Sequence, residues 1–166
     1  MHVQTWLLPP HDWVPNHPRL PVLAYRAVAL GGDDKAAAFE RAFAANGWPP
    51  QWRDGIYDYH HYHSSAHEAL GIACGTATLV LGGPDGVRTT VTAGDALLLP
   101  AGTGHCCVEA SDDFLVVGAY PAGQDWDICK QAPSEAMLRR IAQLPFPDSD
   151  PLGGAQGPLL EHWRAQ

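Results

Sequence analysis

"GIYDYHHYHSSAHEALGIACG", Gly55–Gly75, holds four of the chain's nine histidines and a glutamate close behind them. In a strand, residues i and i+2 share a face about 7 Å apart, near enough for two imidazoles to meet at one ion. In a helix the same spacing sets them about 200° apart, and no ion could be shared. Tyr57, Tyr59 and Tyr62 favour strand. A strand over 53–63 is therefore expected, with His61 and His63 as a chelating pair and His60 facing away. Glu68 can join them only if the chain bends at Ser64-Ser65-Ala66, in which case His67 falls opposite it. The competing reading is an exposed polar strand, which must explain why the histidines gather here.

Working outward, the texture from Trp52 to Tyr120 is of short β segments. Strands are expected near 68–74, 76–81, 87–91, 96–99, 105–110 and 114–120, separated by turns such as Gly82-Gly83-Pro84-Asp85-Gly86 and Ala93-Gly94-Asp95. An earlier strand is expected over Pro21–Leu30. A helix should follow Asp33 and stop at Asn46-Gly47, with Phe39 and Phe43 on its packed face. A second helix is expected over about Ser134–Leu144. Residues 1–20, rich in Pro and Trp, read as an extended surface segment, and Trp163 as an anchor for the chain's end. The six tryptophans lie outside the motif core and read as glue for terminal segments or a second subunit.

At 166 residues the chain fits one domain. Its barrel core is expected at about 52–120, between an N-terminal extension (1–51) and a C-terminal helix and tail (121–166). A formal charge of −8, with no Lys/Arg cluster, disfavours nucleic acid as a partner. No apolar run approaches the roughly 20 residues of a membrane span, and no basic and apolar leader is legible. Cys74, Cys106, Cys107 and Cys129 lack CxxC spacing and read as reduced thiols, so a cytoplasmic location is expected.

A second stretch, "GDALLLPAGTGHCCVE" (Gly94–Glu109), carries a Pro-x-Gly turn and a solitary His105. Together the two stretches resemble the paired motifs of the cupin superfamily. Gly55, His61, His63, Glu68 and Gly75 match the first motif in spacing; Gly94, Pro100, Gly102 and His105 match the second. Glu109 stands where the second motif usually has Asn. More loosely, the whole chain resembles the small uncharacterised YjlB-like bacterial cupins.

The resemblance implies a mostly β protein: a double-stranded β-helix, or jelly-roll barrel, with one N-terminal and one C-terminal helix packed outside. It also implies that His61, His63, Glu68 and His105 point inward around one divalent ion. Three imidazoles and a carboxylate suit Fe, Mn, Ni, Co, Cu or Zn better than Ca or Mg. An octahedral ion so held keeps two open positions for a small-molecule substrate.

Parity from the ligands places Tyr57, Tyr59, Leu70, Ile72, Cys107 and Glu109 on inward faces. Tyr59 is the candidate for orienting a substrate, and Tyr57, Leu70, Ile72 and Cys107 for lining the cavity, with core packing the alternative for each aliphatic. Arg53 and Arg88 could pair a substrate carboxylate, but read more simply as surface arginines. The expected function is a metal-dependent enzyme of dioxygenase, isomerase or decarboxylase type acting on a small polar metabolite, in a homodimer paired through edge strands. The alternative is a non-catalytic module that binds a small molecule or metal. No helix-turn-helix can be placed, which weighs against a DNA-linked sensor.

Overall fold

The computed structural model describes residues 2–164, and the chain is mostly β. Nine strands are formed among the described residues: β1 (His2–Trp6), β2 (Val22–Arg26), β3 (Pro50–Asp54), β4 (Glu68–Cys74), β5 (Thr76–Leu81), β6 (Val87–Thr92), β7 (Ala96–Leu99), β8 (His105–Ala110) and β9 (Leu115–Ala119). Three helices accompany them: α1 (Lys35–Ala45), α2 (Glu135–Gln143) and α3 (Pro158–His162). All strand pairs are antiparallel. One sheet runs β1-β2-β7-β4-β9-β3 and the other β6-β5-β8.

The two sheets share one apolar interior. Val22, Ala24, Leu70, Ile72, Leu97, Leu99 and Val116 from the six-stranded sheet meet Ala77, Leu79, Leu81, Val91 and Cys107 from the three-stranded one. A second core lies on the other face of the large sheet. There Phe39 and Phe43 of α1 pack with Leu98, Val117, Trp48, Leu159 and Trp163. The strands β4, up to its last residue Cys74, and β7 are buried because they serve both cores. Their near-continuous apolar runs follow from that position. Complete burial of Phe39 and Phe43 is worth about 2–3 kcal/mol each.

Three expectations are corrected. Residues 55–67 form no strand: only His61 and Tyr62 make isolated bridges, to His105 and Cys129. The segment leaves β3 in the large sheet, runs past β8 in the small one and returns to β4; its backbone bonds to the β8 side, at Tyr57, His61 and His63, are too widely spaced to make a ladder. The strand expected over Pro21–Leu30 ends at Arg26, where Ala27 adopts φ 53° and donates its N–H to Asp95. Within the N-terminal segment, His2–Trp6 pairs with β2 as an edge strand, and Asn16 is buried, bonding Pro9, Gly82 and Gly104.

The short helix α3 was not expected from the sequence. Pro158 opens it, and the buried Asp150 carboxylate accepts the N–H of Leu159 and the hydroxyl of Tyr25. Trp163, just beyond, is buried and donates to the Pro21 carbonyl.

Candidate metal centre

Four side chains meet at one end of the sandwich. Glu68 is the first residue of β4 and His105 the first of β8, so each sheet contributes one. The 55–67 segment brings the other two. His61 and His105 exchange backbone N–H···O bonds (3.2 and 2.9 Å), and the His63 carbonyl accepts the Gly102 N–H at 2.7 Å. Gly102 takes φ 89°, and a Cβ there would stand 3.0 Å from the Asn16 carbonyl oxygen, so the turn into β8 requires glycine.

His61, His63 and His105 are buried, and one ring nitrogen from each lies within 4.8 Å of the other two. Their second nitrogens are all committed to backbone carbonyls. His61 Nδ1 meets Tyr59 O at 3.0 Å, His105 Nδ1 meets Thr103 O at 3.0 Å, and His63 Nδ1 meets Asp127 O. A carbonyl can only accept, so each Nδ1 carries the hydrogen and each Nε2 presents a bare lone pair. Glu68 completes the cluster, with Oε2 3.3 Å from His63 Nε2 and Oε1 3.3 Å from His105 Nε2. Oε1 is buried and has no hydrogen-bond partner.

A buried carboxylate beside imidazole nitrogens is stabilised by positive charge placed between them. Burial opposes ionisation of Glu68, but His63 and His105 outweigh it and hold the carboxyl well below its usual range. Burial likewise opposes charge on His63, yet the Glu68 carboxylate raises its pKa. Burial, then the neighbouring His105, drives His61 down to about 3, so it stays neutral. The donor set fits a divalent transition metal: three imidazoles oriented through their Nδ1 atoms and one ionised carboxylate whose Oε1 has no hydrogen-bond partner.

Glu68 is itself held. The Tyr120 hydroxyl donates to Oε2 at 2.8 Å and accepts the Trp52 indole N–H at 2.8 Å. Tyr120 is nearly fully buried and stacks on Trp126, centroids 4.4 Å apart. Above the cluster lies a cavity of about 250 Å³, reached by Tyr57, Leu70, Trp52, Tyr120, Trp126 and Ile128.

Of the remaining expected lining residues, Ile72 and Cys107 lie in the core between the sheets rather than at the cavity. Tyr59 lies outside the lining too: its ring stacks on Tyr57 at 4.8 Å under the Lys130 ammonium, and only its carbonyl reaches the site, through His61. Glu109 faces solvent, against its parity. A bulge opposite Thr78 and Leu79 leaves Val108 without a partner and reverses the alternation.

His67 is buried away from the cluster, accepting the Ala101 N–H and bonding the Leu144 carbonyl. His60 likewise takes no part. Arg53 pairs with Glu40 at the surface, and Arg88 sits on β6; neither lines the cavity.

The uncharacterized protein YjlB of Bacillus subtilis (strain 168) is 37% identical over 162 residues, spanning 96% of each chain. The chain belongs to the YjlB family. No family model matches it. A solved structure of Streptomyces albus HEPD, with 2-hydroxyethylphosphonate and Fe(II) bound, overlaps 86% of this chain and 27% of that one. Its identity is 11% and its TM-score 0.29, a likeness too slight to carry any argument.

In this YjlB-family chain, sequence reasoning missed Trp52, Tyr120, Trp126 and Asp127. The position of Trp52 and Trp126 outside the motif core suggests glue for terminal segments, whereas both line the cavity. The alternation in Trp126-Asp127-Ile128 is the local signal for Trp126 and Asp127: its outer members face the cavity, and its middle one turns back to Ser64 and His63.

Proposed function

We propose that this protein is a cupin whose His61, His63, Glu68 and His105 hold one divalent transition metal, and that it is a metal-dependent enzyme acting on a small molecule. The observation that carries the reading is the shared tautomer: three Nδ1–H groups tied to carbonyls, three ring nitrogens gathered within 4.8 Å of one another, and the Nε2 atoms of His63 and His105 each 3.3 Å from the Glu68 carboxylate. Such an ion would supply Lewis acidity, or a redox centre if it is iron, manganese or copper.

The chain's own residues do the rest. Tyr120 and Trp52 fix the Glu68 carboxylate, the 121–133 segment fixes His63, and the cavity walls bind and orient the substrate. Dioxygenase, isomerase and decarboxylase chemistry all fit a four-ligand site with open positions. The proposal includes closure of the two sheets as a double-stranded β-helix, supported by their shared core and the His61–His105 bridge. A homodimer is included because the sheets end in strands such as β1 and β6. A cytoplasmic location is included because four free thiols are kept. Among the described residues no helix is long and apolar enough to cross a membrane.

The test is metal content. Alanine at His61, His63, Glu68 or His105 is expected to lower bound metal sharply in each variant, whereas full occupancy in His105→Ala would defeat the four-ligand assignment. A protein that keeps its metal but turns over no substrate favours the alternative, a non-catalytic module binding a small molecule.

A further inference from the structure

The cavity walls are uneven in chemistry. Trp52, Tyr57, Tyr120 and Trp126 form aromatic sides, and Ile56 and Ile128 add aliphatic surface. The charged groups that reach the cavity besides the histidines are the carboxylates of Asp54 and Glu68. No lysine or arginine lines it among the described residues, and the nearby Lys130 ammonium is engaged over the Tyr59 ring at 4.7 Å. A polyanionic ligand would therefore meet repulsion, with no side-chain cation to answer its second charge. At about 250 Å³ the space lies below the range for drug-sized ligands, so it takes a small molecule with about one ring.

Two of these residues come from one strap. Trp126 and Ile128 reach the cavity while Asp127, between them, accepts from His63 and Ser64. Trp126 and Ile128 are also two of the few large hydrophobic side chains left well exposed among the described residues, at 38% and 43%. Apolar surface kept open at the mouth of a polar site has an occupant to gain from, since covering it releases water.

We propose that the ligand is a singly charged or neutral molecule with a metal-chelating oxygen pair at one end and a flat apolar, aromatic-sized body at the other. Trp126 and Ile128 are the specificity-determining residues that read the body. This rests on the metal centre proposed above and names the class of molecule it takes.

Three α-hydroxy acids with the same chelating end separate the alternatives: glycolate has no body, mandelate adds a phenyl ring, and malate adds a second carboxylate. Binding of each to the Co(II)-loaded protein is measured by calorimetry, after the Co(II) content has been determined. Mandelate, in one enantiomer at least, is expected to bind about ten-fold more tightly than glycolate, and malate no more tightly than glycolate. Trp126→Ala and, separately, Ile128→Ser are expected to shrink the mandelate margin. Malate binding as tightly as mandelate, glycolate equalling mandelate, or a margin that survives both substitutions overturns the inference while the metal centre stands. A protein that takes up no Co(II) overturns both.

Discussion

The Tyr120 hydroxyl donates to Glu68 Oε2 across 2.8 Å, leaving Oε1 buried without a hydrogen-bond partner. One oxygen is held by Tyr120 and the other is unpartnered, as a ligand to the proposed ion would be. The tyrosine follows directly on β9, which pairs with β4, whose first residue is Glu68. Burial, then the adjacent Glu68 carboxylate, raises the Tyr120 pKa, so it remains a donor at every physiological pH.

Tyr120→Phe should therefore loosen Glu68 without unfolding the protein. Metal affinity is expected to fall about 10- to 100-fold, as for other partners that orient a metal ligand. Equilibrium dialysis against a competing chelator checks it; affinity unchanged from wild type would remove Tyr120 from the support of the site.

Gly118→Ala acts one step further out. A Cβ at Gly118 would lie 2.1 Å from the Trp52 indole, so the ring must leave its place and lose its 2.8 Å bond to Tyr120. Overpacking of this kind costs about 1–3 kcal/mol. Urea denaturation should show that loss, and metal affinity should fall in the same direction as in Tyr120→Phe.

Asp127 anchors the strap. Its carboxylate accepts the Ser64 N–H at 2.6 Å and the Ser64 hydroxyl, and its backbone carbonyl orients His63. Burial raises the Asp127 pKa, but the Ser64 hydrogen bonds outweigh it and leave the group ionised. Asp127→Ala is expected to cost about 1–3 kcal/mol, to speed proteolysis within 121–133 and to weaken metal binding. Unaltered proteolysis together with unaltered metal affinity would contradict the anchoring role.

Stability should rise with pH through a window to which His17 contributes alongside the likewise lowered His61 and His67. Burial, then Arg19, lowers the His17 pKa from 6.5 to about 4, and its Nδ1 accepts the N–H groups of Arg19 and Leu20. The unfolded chain binds this proton more readily, so the contribution is complete above pH 6.5 and is lost as pH falls toward about 4. It amounts to at most about 3 kcal/mol. Denaturation of the chelator-treated protein between pH 5 and 7.5 should show a slope that His17→Gln reduces, leaving the share of His61 and His67.

The convergence of His61, His63, Glu68 and His105 is legible in the sequence because local spacing limits where each can point. His-x-His needs only a short extended backbone, and an isolated bridge at His61 supplies it as well as a full strand would. Strands β4 to β9 are legible for a similar reason, since turns such as Ala93-Gly94-Asp95 punctuate the chain. The support of Glu68 is not legible: Trp52 and Tyr120 meet it only through the order β4-β9-β3, a nonlocal pairing that no periodicity encodes. Parity fails at Glu109 because a one-residue bulge cannot be read from alternation. It wrongly places Tyr59 in the lining because the 55–67 segment is not a strand.

The central claim is that these four residues close on one metal ion, and the most direct test is crystallography of the purified protein with anomalous scattering at the metal edges. The account predicts a single ion about 2.0–2.2 Å from the Nε2 atoms of His61, His63 and His105 and from a Glu68 oxygen. No anomalous peak there after soaking with Mn, Fe, Co, Ni, Cu and Zn in turn, or an ion bound through other residues, would contradict it.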